Sequence, residues 1–243
     1  MNRVVIVTGG ARGIGSATCL RLAAEGYQVC VNYRSNLIAA ETVVKAILDG
    51  QGEAFCYQAD VSKEQDVIEL FDAVEEKYGQ VQYLVNNAGQ LMKQSRFIDL
   101  ELNRFDTILR NNLTSCFLCC REFIRRSPTS GSIVNVSSVA ARTGSPNEYI
   151  DYATAKGGMD TLTRGLAMEL ASQPIRVNAV RPGFIYTEMH ADGGEPGRVD
   201  RLAPNIPMQR GGSAEEVANT IAWLLSDDAS YVTGSFIDVA GGR

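Results

Sequence analysis

The sequence predicts an α/β fold in which a mostly parallel sheet is covered by helices on both faces. Three observations carry that prediction. Apolar runs of strand length alternate with stretches of helical periodicity from one end of the chain to the other, a pattern that implies crossover connections and a buried sheet. A glycine-rich turn, Thr8 to Gly15, joins the first strand to the first helix. Later strands end in small or polar segments, Asn86-Asn87-Ala88-Gly89, Ser137-Ser138 and Arg181-Pro182-Gly183, at the sheet edge where open parallel sheets bind ligands.

The elements follow in order. Arg3 to Val7 is the first strand, and helical periodicity runs from Ile14 to Glu25 before stopping at Gly26. Gln28 to Tyr33 is the second strand, Ile38 to Leu48 a helix closed by Gly50, and Ala54 to Gln58 the third strand. Ser62 and Gln65 have capping-box spacing, which predicts the start of the helix that reaches Tyr78. Gln82 to Val85 is the fourth strand, and a long helix from about Leu102 to Arg126 is expected to break near its start. Ser132 to Val136, a second long helix over about Tyr149 to Ala171, and Ile175 to Val180 come next. Ser213 and Glu216 again have capping-box spacing ahead of a helix from Ala214 to Leu225, and Phe236 to Val239 is the last strand. Crossovers should be right-handed.

No linker, low-complexity tract or internal repeat divides the chain, so one domain is expected over residues 1–243. The irregular stretch is about 188–212, which holds Gly193-Gly194-Glu195-Pro196-Gly197 and then Pro204 and Pro207. An insertion just past a strand's carboxyl end is where a lid over a site is expected. Its residues Met189, His190 and Arg198, with Tyr186 just ahead, mix apolar and polar character. Met92 and Lys93 could line the same pocket or cap a loop.

Composition narrows the function. The net charge is −5 and the basic residues are dispersed, so nucleic acid is excluded as a primary partner. No apolar stretch reaches the roughly 20 residues of a membrane helix, and the run after Met1-Asn2-Arg3 is too short for a signal-peptide core. A cytoplasmic protein without a membrane partner is expected. Cys116 and Cys119 form a C-x-x-C with no second pair and one His in the chain, which reads as thiols lining the core rather than a zinc site.

The turn Thr8-Gly9-Gly10-Ala11-Arg12-Gly13-Ile14-Gly15 has the context of a dinucleotide site. Glycines let the backbone approach a pyrophosphate, and the helix start offers free N–H groups and a positive dipole end. The second strand ends in Asn32-Tyr33-Arg34, without the acid that normally holds an NAD ribose. Arg12 and Arg34 would suit a 2′-phosphate. The expected cofactor is therefore NADP(H), with NAD(H) as the alternative.

Tyr152 and Lys156 are four apart, on one face of a helix. A free phenol titrates near 10, and a neighbouring cation lowers that value. Reaching about 7 would take about 4 kcal/mol, so a second cation besides Lys156 is expected to help.

With these motifs in order, the whole chain resembles the short-chain dehydrogenase/reductase superfamily in its single-domain branch. The resemblance implies a Rossmann fold with a seven-stranded parallel sheet in the order 3-2-1-4-5-6-7. Within the superfamily the sequence is most similar to 3-oxoacyl-carrier-protein reductases and glucose 1-dehydrogenases. Thr8, Gly9, Arg12, Gly13, Ile14 and Gly15 match the family's cofactor loop, and Tyr33-Arg34 its adenosine end. Asp60-Val61 resembles the pair that contacts the adenine. Asn86-Asn87-Ala88-Gly89 matches the motif that supports the cofactor, with Asn87, Ala88 and Gly89 in contact. Pro182, Gly183, Ile185 and Thr187 resemble the segment that holds the nicotinamide carboxamide.

The same resemblance implies a catalytic tetrad of Asn112, Ser138, Tyr152 and Lys156, although Asn111 next to Asn112 leaves that member open. Tyr152 would exchange a proton with a carbonyl or alcohol substrate, and Ser138 would hydrogen-bond the same oxygen. Lys156 would tune Tyr152 and, like Tyr152, touch the cofactor ribose, with the charge of oxidised nicotinamide as the second cation. Asn112 would hold a water that links Lys156 to solvent. Relatives commonly form tetramers through the two long helices and the last helix and strand, so a homo-oligomer is expected.

Two other classes compete. A Ser-His hydrolase would need a base, and His190 is the one His, with no G-x-S-x-G elbow in the chain. A non-catalytic NADP-binding sensor or scaffold on the same fold is the second alternative. A sensor would be expected to lack Ser138, Tyr152 or Lys156, and all are present.

Overall fold

Four β-branched residues in a row, Val4–Val7, form a fully buried strand. Side chains alternate across a strand. Val5 and Val7 accordingly enter a core on one face of the sheet, and Val4 and Ile6 a core on the other. The computed structural model describes residues 3–126 and 130–243. Met1 and Asn2, ahead of the first strand, lie outside the described residues.

The chain runs β1 (Val4–Val7), α1 (Gly13–Ala24), β2 (Gln28–Tyr33), α2 (Leu37–Asp49), β3 (Glu53–Gln58), α3 (Glu64–Tyr78) and β4 (Tyr83–Asn86). Then come α4 (Leu102–Leu109), α5 (Ser115–Arg125), β5 (Gly131–Val136), α6 (Ala140–Thr143), α7 (Ile150–Glu169) and β6 (Ile175–Pro182). The chain closes with α8 (Met189–Asp192), α9 (Arg198–Leu202), α10 (Ala214–Leu225) and β7 (Phe236–Val239). The seven strands pair in parallel in the order β3-β2-β1-β4-β5-β6-β7, as the sequence predicts. The chain steps outward from β1 to β3 and then returns to β4 beside β1. That reversal opens a crevice at the carboxyl ends of the strands, where such sheets bind ligands.

Helices α1, α2 and α10 cover one face with Leu22, Val43, Ile47, Val217, Ile221 and Leu224. Helices α3, α5 and α7 cover the other with Leu70, Phe71, Phe123 and Met159. Each such side chain contributes about 1.5–3 kcal/mol by leaving water. Cys116, Cys119 and Cys120 are buried in this second core. Among the described residues no helix is long and apolar enough to cross a membrane.

The structure corrects three local expectations. Ser62 is not the cap of α3; the cap position is Lys63, without a side-chain bond. The Ser62 hydroxyl donates instead to Asp60 Oδ1 at 2.7 Å, and Gln65 turns to Glu69. The helix begins one residue later than the spacing implies, at Glu64, which leaves Ser62 one place ahead of the cap. Ser213 does form its capping box with Glu216. The long helix breaks in its middle, at a π-helical turn over Arg110–Thr114. The stretch 188–212 is less irregular than expected, holding α8, α9 and a 3-10 turn over Ala203–Asn205. Its neck is pinned where Tyr186 N–H donates to Gly212 O and Gly212 N–H to Phe184 O, both at 2.9 Å.

Candidate active site

The glycine turn is a cradle that other residues would fill. Gly9 and Gly13 have φ of 62° and 52°, in the region that favours glycine. A Cβ on Gly15 would sit 2.2 Å from Gly9 O and 2.6 Å from Asn87 Nδ2. Neither Gly15 nor Thr8 lines the crevice; both work beneath it. Thr8 is buried, and its Oγ1 accepts the N–H groups of Asn87 and Ala88 at 3.0 Å each. Asn87 Nδ2 returns bonds to Thr8 O and Gly9 O at 3.0 Å. The ends of β1 and β4 are thus laced together, which sets the floor of the site. Asn32, missed in the sequence, holds the far wall: its Oδ1 accepts Gly9 N–H and its Nδ2 donates to Ala59 O. Its one sequence signal is an amide inside an otherwise apolar strand.

A groove of about 560 Å³ runs over this floor. Of the residues predicted to hold cofactor, Gly9, Arg12, Gly13, Tyr33, Arg34, Asp60, Val61 and Ala88 line it. The groove joins a second cavity of about 350 Å³ through Ile14, Asn87, Gly89 and Thr187, which line both. The second cavity is lined by Ser138, Tyr152, Lys156, Pro182, Gly183 and Ile185. The close approach at Gly15, the two left-handed glycines and a groove of this length fit a dinucleotide.

The two arginines at the adenosine end differ. Arg34 is exposed and makes no ion pair among the described residues. Arg12 is paired, its Nη2 meeting Asp192 Oδ2 at 2.5 Å.

Helix α7 delivers Tyr152 and Lys156 to the second cavity. Buried bonds tie the helix to the sheet: Asn135 on β5 accepts from Asn86 at 2.8 Å and donates to Thr163 on α7 at 2.8 Å. Asp151 is buried, pairs with Arg104 Nε of α4 at 2.8 Å and accepts the Tyr152 N–H. Lys156 is buried, with Nζ donating to Val136 O at 2.7 Å and lying 5.5 Å from the Tyr152 ring centroid.

The protein's own groups raise the Tyr152 phenol, which leaves its lowering to the second cation. Burial pushes its phenol up to about 12, and the Ser138 hydroxyl, hydrogen-bonded to it, pulls the other way. Burial also lowers Lys156 to about 8. With protein groups alone, the cost of removing a charge from water exceeds the help of the Ser138 hydrogen bond. The phenol is held protonated.

Asn112, not Asn111, is the buried member of its pair, at 0% exposure. It sits in the π-helical turn, where Ser115 N–H reaches back to Arg110 O; such widened turns are frequent at functional sites. Asn112 lines neither cavity. Its Oδ1 accepts Gln90 N–H, and its Nδ2 donates to Gln90 O and Ile108 O. One side-chain donor and the side-chain oxygen hold Gln90, and the other donor is spent on Ile108 O within the helix. A methyl on Gly89 would lie 2.8 Å from Asn112 Oδ1 and 3.7 Å from Lys156 Nζ, so Gly89 is the gap between them.

The stretch after β6 roofs the second cavity. Met189, His190 and Arg198 line it, whereas Tyr186 is half exposed and bonds Asp200. Leu91 lines it in place of Met92 and Lys93; Lys93 lies against Gly194 instead. Arg198 is buried between Glu148 and Glu195 and stacks on Tyr149 and Phe184. Glu148 and Tyr149 line the cavity as well. The sequence carried no signal for the Glu148–Arg198 pair, whose members are 50 residues apart.

Comparison with known proteins places this arrangement. A family model described as Enoyl-(Acyl carrier protein) reductase matches residues 9–243. The chain is 58% identical to the uncharacterized oxidoreductase YgfF of Escherichia coli strain K12, over 99% of each chain. It is 38% identical to the 3-oxoacyl-[acyl-carrier-protein] reductase FabG of Staphylococcus epidermidis, over 100% of this chain and 99% of that one. A mutant short-chain dehydrogenase/reductase from Serratia marcescens superposes with a TM-score of 0.92 at 32% identity, covering 99% of this chain and 97% of its own.

Proposed function

The chain belongs to the short-chain dehydrogenase/reductase family of oxidoreductases, and from that premise we propose that it interconverts a carbonyl and an alcohol using NADP(H), with Tyr152 as acid and base. The observation that carries the proposal is convergence. Ser138, Tyr152 and Lys156 meet in one cavity, and that cavity is continuous with the glycine cradle. Arg12, Arg34, Asp60, Val61 and Asn87 to Gly89 would hold the dinucleotide, with Pro182 to Thr187 at its nicotinamide end. The chemistry a nicotinamide supplies when bound is a hydride to or from the substrate carbon.

The chain's own residues handle the oxygen. Ser138 and Tyr152, hydrogen-bonded to each other, line the same cavity, and their two hydroxyls suit an oxygen that gains charge in the transition state. This favours a carbonyl over the carbon–carbon double bond named in the family model's description, and the 3-oxoacyl reductase relative points the same way. Tyr152, buried and protonated, donates its proton to the developing alkoxide. Lys156, anchored on Val136 O, keeps its remaining donors for Tyr152 and the ribose. Asn112 shapes the floor by fixing Gln90. The stretch about 188–212 serves as a lid on a single domain, closing the cavity with Met189, His190 and Arg198.

Assembly into a homo-oligomer, a tetramer as in relatives, is part of the proposal. Phe117, Met168 and Trp223 are left exposed on α5, α7 and α10. Sedimentation should read four chains; a monomer would overturn this. A cytoplasmic location is proposed on the same family grounds.

The deciding experiment is a turnover screen with NADPH and NADP over oxoacyl thioesters, sugars, quinones and small ketones. Turnover of at least one class is expected. NADPH binding with no turnover across the panel would favour the sensor or scaffold reading. For the cofactor, Arg12→Ala combined with Arg34→Ala should raise KM for NADPH far more than for NADH, and equal effects would sink the NADP(H) assignment.

A further inference from the structure

We propose that Asp192 is a cofactor-specificity residue: it competes with the 2′-phosphate of NADPH for the Arg12 guanidinium, and NADH has no group with which to compete. This rests on the NADP(H) reading above.

Arg12 stands at the cap position of α1 in the floor of the cofactor groove, and its own side chain caps nothing. Asp192 ends α8, 180 residues away in sequence, and lines the same groove. The two meet at 2.5 Å. A carboxylate and a phosphate monoester are the two anions that an arginine fork binds in the same way. A phosphate that takes the Nη2 side of the Arg12 fork therefore competes with Asp192 for it. The same stretch brings a second carboxylate over the turn, since Glu188 Oε2 lies 3.5 Å from where a Cβ on Gly13 would be. An incoming phosphate meets Glu188 as a like charge while it gains Arg34 and contests Asp192 for Arg12. The roof of the groove is thus acidic and its floor basic, with one pair already closed between them.

Both partners are about half exposed, at 53% and 45%. Exposed pairs of this kind shift an equilibrium by about two- to fivefold. Asp192 therefore tunes the preference rather than deciding it. Release of Asp192 also removes one tie on α8, which keeps the contact of His190 with Ile185 O, and Met189 and His190 of that helix line the carbonyl cavity. The phosphorylated cofactor thereby loosens the roof over the substrate, and the unphosphorylated one leaves it latched.

The test is direct binding, read by nicotinamide fluorescence, for wild type, Asp192→Asn, Arg12→Ala and the double variant. Asp192→Asn should tighten NADPH by about two- to fivefold and leave NADH unchanged. The gain should vanish in the Arg12→Ala background. Equal shifts for both cofactors, no shift, or a gain that survives without Arg12 would overturn the proposal. Arg12→Ala separates the two levels of the argument. If it weakens NADPH and NADH equally, the NADP(H) reading at this position fails, and the inference with it. If it weakens NADPH alone while Asp192→Asn changes nothing, the inference alone fails. A second readout needs no nicotinamide: 2′,5′-ADP, but not 5′-AMP, should speed proteolytic cleavage between residues 186 and 197. Equal cleavage with both nucleotides would contradict the latch.

Discussion

Gly15→Ala tests the cradle on which the site is built. The new methyl would lie 2.2 Å from Gly9 O, 2.6 Å from Asn87 Nδ2 and 3.0 Å from Gly10 Cα. Two of these atoms are backbone, and the third is a side chain already bonded to Thr8 O and Gly9 O. None can retreat cheaply. Overpacking of this kind costs about 1–3 kcal/mol, and a broken buried hydrogen bond adds about 1 kcal/mol. A total of about 2–4 kcal/mol corresponds to a loss of about 5–15 °C in Tm for a chain of this size. The turn must widen, so the N–H groups at the start of α1 lose their aim at a bound anion. Thermal melting and NADPH titration should show both effects, with a lower Tm and no saturation where wild type saturates. An unchanged Tm with unchanged NADPH affinity would refute the steric argument.

Two further outcomes follow from the helix that carries Tyr152. Burial lowers Lys156 from 10.5 to about 8, so between those values the folded chain has released a proton that the unfolded chain keeps. Stability from this group therefore rises with pH across that window, by about 1.4 kcal/mol per unit. Melts of wild type and Lys156→Met at about pH 7 and about pH 9.5 should show the gap moving in favour of wild type; a constant gap would contradict the burial argument. Asp151→Ala strips the buried partner from Arg104, whose side chain is 18% exposed, and should cost about 2–4 kcal/mol. Its Tm should fall by about 5–15 °C, with turnover falling as well because Asp151 fixes the Tyr152 backbone; an unchanged melt would show the pair to be dispensable.

The sheet was legible because its determinants are local. Val4–Val7 announces a strand buried on both faces, and Thr8 to Gly15 announces the turn that must follow. Tyr152 and Lys156 were legible because helical spacing alone places them together. What escaped the sequence depends on contacts across the chain. Arg12 reads as a residue that would suit a phosphate, and nothing local announces Asp192 beside it. Thr8 and Gly15 read as cofactor contacts; the contacts across the chain add that Thr8 laces β1 to β4 through Asn87 and Ala88 and that Gly15 leaves room for Gly9 O and Asn87. Ser62 has the spacing of a cap, and the nearer Asp60 carboxylate takes its hydroxyl. The shift of Tyr152 could not be read from Lys156 four residues on, because burial sets its direction and burial is a property of the whole fold. The widened turn at Asn112 has no local signature, since an asparagine is tolerated in many helices.

The central claim is that Tyr152 moves the proton. Tyr152→Phe removes one oxygen from a buried ring and leaves its packing in place. NADPH affinity should stay within about twofold of wild type, and turnover should fall by at least about a hundredfold, the usual contribution of a positioned general acid. Reduction of substrate at near the wild-type rate by that variant would contradict the account.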